Sequence, residues 1–175
     1  MKIDSFIPSG GCFKCHNFCC RFRADEQSYA PLLTEPELKN IKKRYHRPFG
    51  FKIWGKEKNV FQLKLVKSRR RNLYLCPFFD EAKKLCRIHF FKPFDCLFWP
   101  YVLMKKKKNE LKTVACYGAA DCEGLRRKKS TECRAYERYL KKTFARPANK
   151  KWFKEFPGMF WDYDPGAKII FGIKE

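Results

Sequence analysis

Apolar residues recur along this chain at two periods, and each period predicts an element. Leu38, Ile41 and Tyr45 fall on one face of a helical repeat. The segment before them, Thr34-Glu35-Pro36-Glu37, has the chemistry of a helix start. Thr34 can cap, Pro36 is tolerated in a first turn, and Glu37 stands where a capping box needs it. A helix over 34–45 is therefore expected, ended by Pro48-Phe49-Gly50. Over 60–66 the period shortens to two: Phe61, Leu63 and Leu65 alternate with Gln62 and Lys64, as in a half-buried strand. Residues 51–54 and 72–75 read as further strands, with 55–59 as a turn. Residues 97–104 and 110–117 can pair as a hairpin around a lysine run. Cys133, Tyr136, Leu140 and Phe144 share one face of a longer helix over 130–144, stopped by Arg146-Pro147. Between these elements, 76–100 is punctuated by Cys and Pro and predicts irregular loop with a helical turn near His89. The tail carries Trp152, Phe153, Phe156, Phe160, Trp161 and Tyr163, then a strand-like stretch over 168–173. So many aromatics argue that the tail docks on something: the chain's own domain, a second subunit or a protein partner.

The expected fold is thus α+β: a small, irregular, Cys-rich domain organised by metal, with short strands, a few helices and an aromatic C-terminal segment. Residues 1–120 form the cysteine-cluster part. Residues 121–175 form a basic helix and an extension packed on it or on a partner. At 175 residues and 45% hydrophobic, the chain can bury a core, which excludes the disordered class. No run approaches the roughly 18–20 apolar residues of a membrane span. Asp4 and Pro8 interrupt the start, so no export signal is expected there.

Ten cysteines then change the picture. They stand at 12, 15, 19, 20, 76, 86, 96, 116, 122 and 133. Such a set means either a disulfide framework or a metal site, and the absence of an export signal favours reduced thiols in cytoplasm and hence metal. Cys12 and Cys15, two residues apart, can wrap a metal with backbone amides facing the sulfurs. Cys19 or Cys20 is near enough to join, although neighbouring side chains diverge and rarely serve one ion. The gaps run two and then three residues, the reverse of the radical-SAM order. Arg21 rather than proline follows Cys20, unlike a bacterial ferredoxin run. Histidines at 16, 46 and 89 lack the pairing of a Cys₂His₂ finger.

Further on stand Cys76-Pro77-Phe78, then Cys86-Arg87-Ile88, then Pro93-Phe94-Asp95-Cys96 with Pro100. With the opening cluster, this ordered set resembles the YkgJ-type cysteine-cluster family, whose members are described as zinc- or iron-chelating. The resemblance spans residues 12–118 and includes Cys116 with Gly118. His89, Lys92 and Leu97 stand where the family carries Tyr and two Arg, and the first cluster holds one extra residue. The resemblance implies a chelating core of Cys12, Cys15, Cys19, Cys20, Cys76, Cys86, Cys96 and Cys116. It favours an iron–sulfur cluster of the 4Fe–4S type over zinc. Ligand type leaves both open, since each accepts four thiolates. Cys122 and Cys133 fall outside it, and Cys133 reads as a buried apolar thiol.

Charge adds a second reading. Forty basic against 18 acidic residues leave +22, enough to attract a polyanion. Three basic runs sit at predicted turns: Arg69, Arg70 and Arg71; Lys105, Lys106, Lys107 and Lys108; Arg126, Arg127, Lys128 and Lys129. They could neutralise phosphates of RNA or a ribosome, with Trp152 and Trp161 stacking on bases. In that alternative the metal is structural. A third reading is an iron–sulfur-dependent modification enzyme of the methyltransferase-related kind, but no Gly-rich methyl-donor loop follows a strand and no catalytic residue is assigned.

Overall fold

A computed structural model of the chain describes residues 1, 3–7, 19–69, 71–105, 112–117 and 122–173. Its elements run β1 (Arg21–Phe22), β2 (Leu32–Thr34), α1 (Glu35–Arg44), β3 (Phe51–Trp54), β4 (Val60–Leu63), β5 (Val66–Lys67), β6 (Tyr74–Leu75), β7 (Phe79–Asp80) and β8 (Leu85–Cys86). Then follow α2 (Phe94–Phe98), β9 (Tyr101–Lys105), β10 (Lys112–Cys116), α3 (Glu123–Arg126), α4 (Ser130–Phe144), α5 (Pro147–Glu155), β11 (Trp161–Asp162) and β12 (Lys168–Gly172). Short 3₁₀ turns cover Ala24–Tyr29, His89–Phe91 and Pro157–Met159. The fold is α+β, with four small sheets in the orders β1-β6-β5, β11-β9-β10-β12, β2-β4-β3 and β7-β8. Of these pairings, β11 with β9 is parallel and the others are antiparallel.

Local chemistry explains several boundaries. The Thr34 N–H donates to the Glu37 carboxylate at 2.8 Å, the expected reciprocal cap of α1. The other Glu37 oxygen accepts the Phe94 N–H at 2.6 Å, so one carboxylate serves the N-termini of both α1 and α2. Helix α4 has the expected span, and it is capped at Lys129, whose N–H donates to Glu132 at 2.9 Å. The turn between β3 and β4 needs left-handed backbone at Gly55 (φ 81) and Lys58 (φ 57). The hairpin forms between β9 and β10, pairing Tyr101 with Cys116. Leu97 and Phe98, expected to open its first strand, belong instead to α2.

Two expectations change. Gln62 was placed on a solvent-facing side, yet it is fully buried. Strand β4 is central between β2 and β3, so its alternation does not separate core from water. The Gln62 amide donates to the carbonyls of Ser28 (2.7 Å) and Ala30 (3.0 Å), which offsets its burial. The second change is α5, which had no counterpart in the periodicity. Pro147 reads as a stop for α4, but it is also the first residue of the next helix, where its missing N–H costs nothing.

The tail's aromatics close the main core. Phe153, Phe156 and Phe160 are buried with Phe94, Phe98, Tyr101 and Phe144. Trp152 packs on Phe94, ring centroids 5.1 Å apart, and on Phe156 at 5.4 Å. A second core, Leu33, Ile41, Leu63, Cys76, Phe78 and Ile88, lies under α1. Phe98 has no exposed surface and touches Phe94, Tyr101 and Phe144. Phe98→Ala is expected to cost about 3–5 kcal/mol in a denaturant titration. Glu37→Ala removes the acceptor for two helix starts and is expected to cost about 1–3 kcal/mol in the same titration, with Glu37→Gln recovering only part of it because an amide keeps one of the two acceptor oxygens.

Candidate metal centre

Short pairings bring distant thiols together. Strand β1 directly follows Cys20, and β6 directly precedes Cys76. Arg21 pairs with Leu75, and the Cys76 N–H donates to the Cys20 carbonyl at 3.0 Å. Past Cys76 the chain turns at once: the Phe79 N–H donates to the Cys76 carbonyl at 2.9 Å. The β7–β8 hairpin then sets Cys86 opposite Phe79, and the Arg87 N–H closes on the Phe78 carbonyl at 2.8 Å. Cys96 arrives on α2, which is anchored by Glu37 and by Asp95, whose carboxylate accepts the Leu32 N–H at 3.0 Å.

These thiols are electrostatically coupled. The Cys19 and Cys20 thiols are hydrogen-bonded to each other, and this bond, then burial, pushes the Cys19 pKa well up. In Cys20 the same bond lowers the pKa, but burial and the charges of Cys76, Cys86 and Cys96 outweigh it and leave it raised. Burial, with Cys86 and Cys19 adding to it, pushes Cys76 up to about 12. Cys96 rises through burial first, then through Cys76, Asp95, Cys19 and Cys86. Thiolates in so confined a place repel, and a bound cation is what reverses that sign. Mutual electrostatic reach is longer than ligand reach, which is about 2.3 Å for zinc–sulfur. Among the described residues, no three His, Cys, Asp or Glu side chains stand at ligating geometry. Cys12 and Cys15 lie outside the described residues.

Cys116 belongs to another neighbourhood. It faces Tyr101 across the hairpin and donates to the Tyr117 carbonyl at 3.2 Å. Burial first, then Glu137, Cys133 and Cys122, raise its pKa to about 12. Of the eight expected thiols, Cys19, Cys20, Cys76, Cys86 and Cys96 are coupled to one another, whereas Cys116 is coupled to Cys122 and Cys133, which were not among the eight. The second group was missed in the sequence. Its one local signal is that Cys133 and Glu137 are a turn apart on α4. The Tyr101 hydroxyl beside it is buried with no hydrogen-bond partner. None of the eight described cysteines is disulfide-bonded.

The basic candidates are dispersed. Arg69 and Arg71 are exposed after β5, Lys105 at the end of β9, and Arg126, Arg127 and Lys129 around the end of α3. Lys128 is partly buried, paired with Glu132 at 2.9 Å and lying over the Phe6 ring. Arg70, Lys106, Lys107 and Lys108 lie outside the described residues. Among the described residues, no helix is long and apolar enough to cross a membrane. No family model matches the chain, and comparisons with curated proteins and with solved structures find no match either.

Burial gives this arrangement a chemical signature. Cys76 and Cys122 are 5% and 3% exposed. Both are expected to alkylate about tenfold or more slowly in the folded chain than in urea, read by mass spectrometry of each thiol.

Proposed function

We propose that the chain is a metal-binding protein whose centre is built from Cys19, Cys20, Cys76, Cys86 and Cys96, with Cys12 and Cys15 as the remaining candidate ligands. The group held is an iron–sulfur cluster, or alternatively zinc, in a structural or electron-transfer role. The observation that carries this reading is the backbone pairing that sets Cys20 beside Cys76 and returns Cys86 to them through a hairpin, with Cys19 and Cys96 near enough to be electrostatically coupled to the same group. As neutral thiols they gain little from one another. As thiolates around a cation they exchange repulsion for coordination. The donor set, thiols with Cys20 and Cys96 each electrostatically coupled to several others, suits a soft or borderline metal, and binding would draw these sulfurs closer than they stand without it. The resemblance to the YkgJ-type family points the same way and favours iron–sulfur. Bound metal supplies the charge that offsets the thiolates. The protein supplies the rest: β1 and β6 align Cys20 with Cys76, the hairpin returns Cys86, and α2 presents Cys96.

Elemental analysis and a visible spectrum on anaerobically prepared protein test this. Brown protein absorbing near about 400 nm supports a cluster, and colourless protein with zinc supports the alternative. Cys76→Ser and Cys96→Ser are expected to lose most of the metal, while Cys133→Ser retains it. Full metal content in the first two variants, or metal-free wild type, would sink the assignment. Chelation is expected to lower the Tm of the wild type by about 10 °C or more, because metal joins segments that are distant in sequence.

A further inference from the structure

A cleft of about 740 Å³ opens beside the thiols, with Cys19 and Cys96 on its wall. That volume suits a small-molecule ligand. Its lining departs from the rest of the surface in two ways. Three of the chain's four tryptophans, Trp54, Trp99 and Trp161, line it, together with Tyr29, Tyr117 and Tyr163. The charge is also inverted. In a chain of net +22, the cleft gathers Asp25, Glu26, Asp95, Asp162 and Asp164 against a single basic residue, Arg23, among the described lining. Arg23 is already engaged by Asp25 (3.5 Å) and Glu26 (3.0 Å), which leaves the Asp162–Asp164 end acidic.

The rings form two groups with a carboxylate between them. Trp99 and Tyr117 stack at 5.4 Å. Trp161 lies 5.3 Å from Trp54 and 6.3 Å from Tyr29. Asp164 joins the groups: one oxygen accepts the Tyr117 hydroxyl at 2.9 Å and the Tyr29 hydroxyl at 3.3 Å. Its other oxygen accepts the Gly166 N–H at 2.8 Å, so the carboxylate is fixed in place before any ligand arrives. Asp95 holds the inner end, accepting from Leu32 and from the Trp161 indole.

Aromatic walls with ordered carboxylates select a weakly hydrated organic cation. Rings attract it through their faces, and the acids supply the net charge. The same walls suit a nucleobase, but the acids repel its phosphate. We propose that this cleft binds the alkylammonium group of a small organic ligand, held between the Trp99–Tyr117 and Trp54–Trp161 ring pairs and neutralised by Asp162 and Asp164. The site stands apart from the metal assignment. It requires the cleft and its acids, not a loaded centre, and if metal is present the ligand lies beside it.

Tryptophan fluorescence of the full chain, titrated with choline or tetramethylammonium at constant ionic strength, reads the site directly. A saturable change is expected that sodium chloride does not reproduce. Asp162→Asn and Asp164→Asn are each expected to weaken it about tenfold or more, with unchanged circular dichroism and metal content. The Asp162 side chain is exposed on β11, so its variant also guards against a misfolded Asp164→Asn. A response to sodium equal to that of the ammonium ions would overturn the proposal. So would equal binding by folded Asp162→Asn and Asp164→Asn, or tighter binding of adenosine monophosphate than of choline.

Discussion

The pairing of Arg21–Phe22 with Tyr74–Leu75 is the joint on which the thiol site depends. It is only two residues long on each side, yet it fixes where Cys20 and Cys76 stand. A pairing that short is weak by itself. Its support comes from β5 on the other edge of β6 and from the small core of Leu33, Ile41, Leu63, Phe78 and Ile88 behind it. Local geometry at the thiols is therefore a property of packing some distance away. In the proposed holo form the dependence runs in both directions, since coordination would reinforce the same pairing.

Two buried or half-buried carboxylates complete the scaffold. Glu37 ties α1 to α2, and Asp95 ties α2 to β2 and to Trp161. Asp95 is pushed up to about 6, with burial as the main cause, offset by those hydrogen bonds and increased again by Glu37. The chain thus keeps negative charge where cysteines and tryptophans meet, although its surface is overwhelmingly positive. That contrast sets the acidic cleft apart from the basic balance of the chain as a whole.

Much of the fold was legible because it is local. The Thr34–Glu37 cap, the apolar face of α4 and the turn before β4 are each encoded within a few residues. Gln62 and Pro147 show the limit. Whether a polar residue in a strand faces water depends on what covers the sheet, and a proline ends one helix and starts the next with equal chemistry. The site shows the same divide. Cysteine spacing pointed to the thiols as a class, but it could not say that Cys116 would sit with Cys122 and Cys133. The cleft was invisible, because Asp25, Asp95 and Asp164 come from three remote segments and no periodicity relates them.

The central hairpin is flanked on both sides by late segments, β11 on β9 and β12 on β10. During synthesis both edges stay bare until those segments leave the ribosome, and bare edges invite pairing with other chains. A chain truncated before residue 161 would expose two open templates at once, so the two outermost strands of this sheet also act as its protection against misassembly.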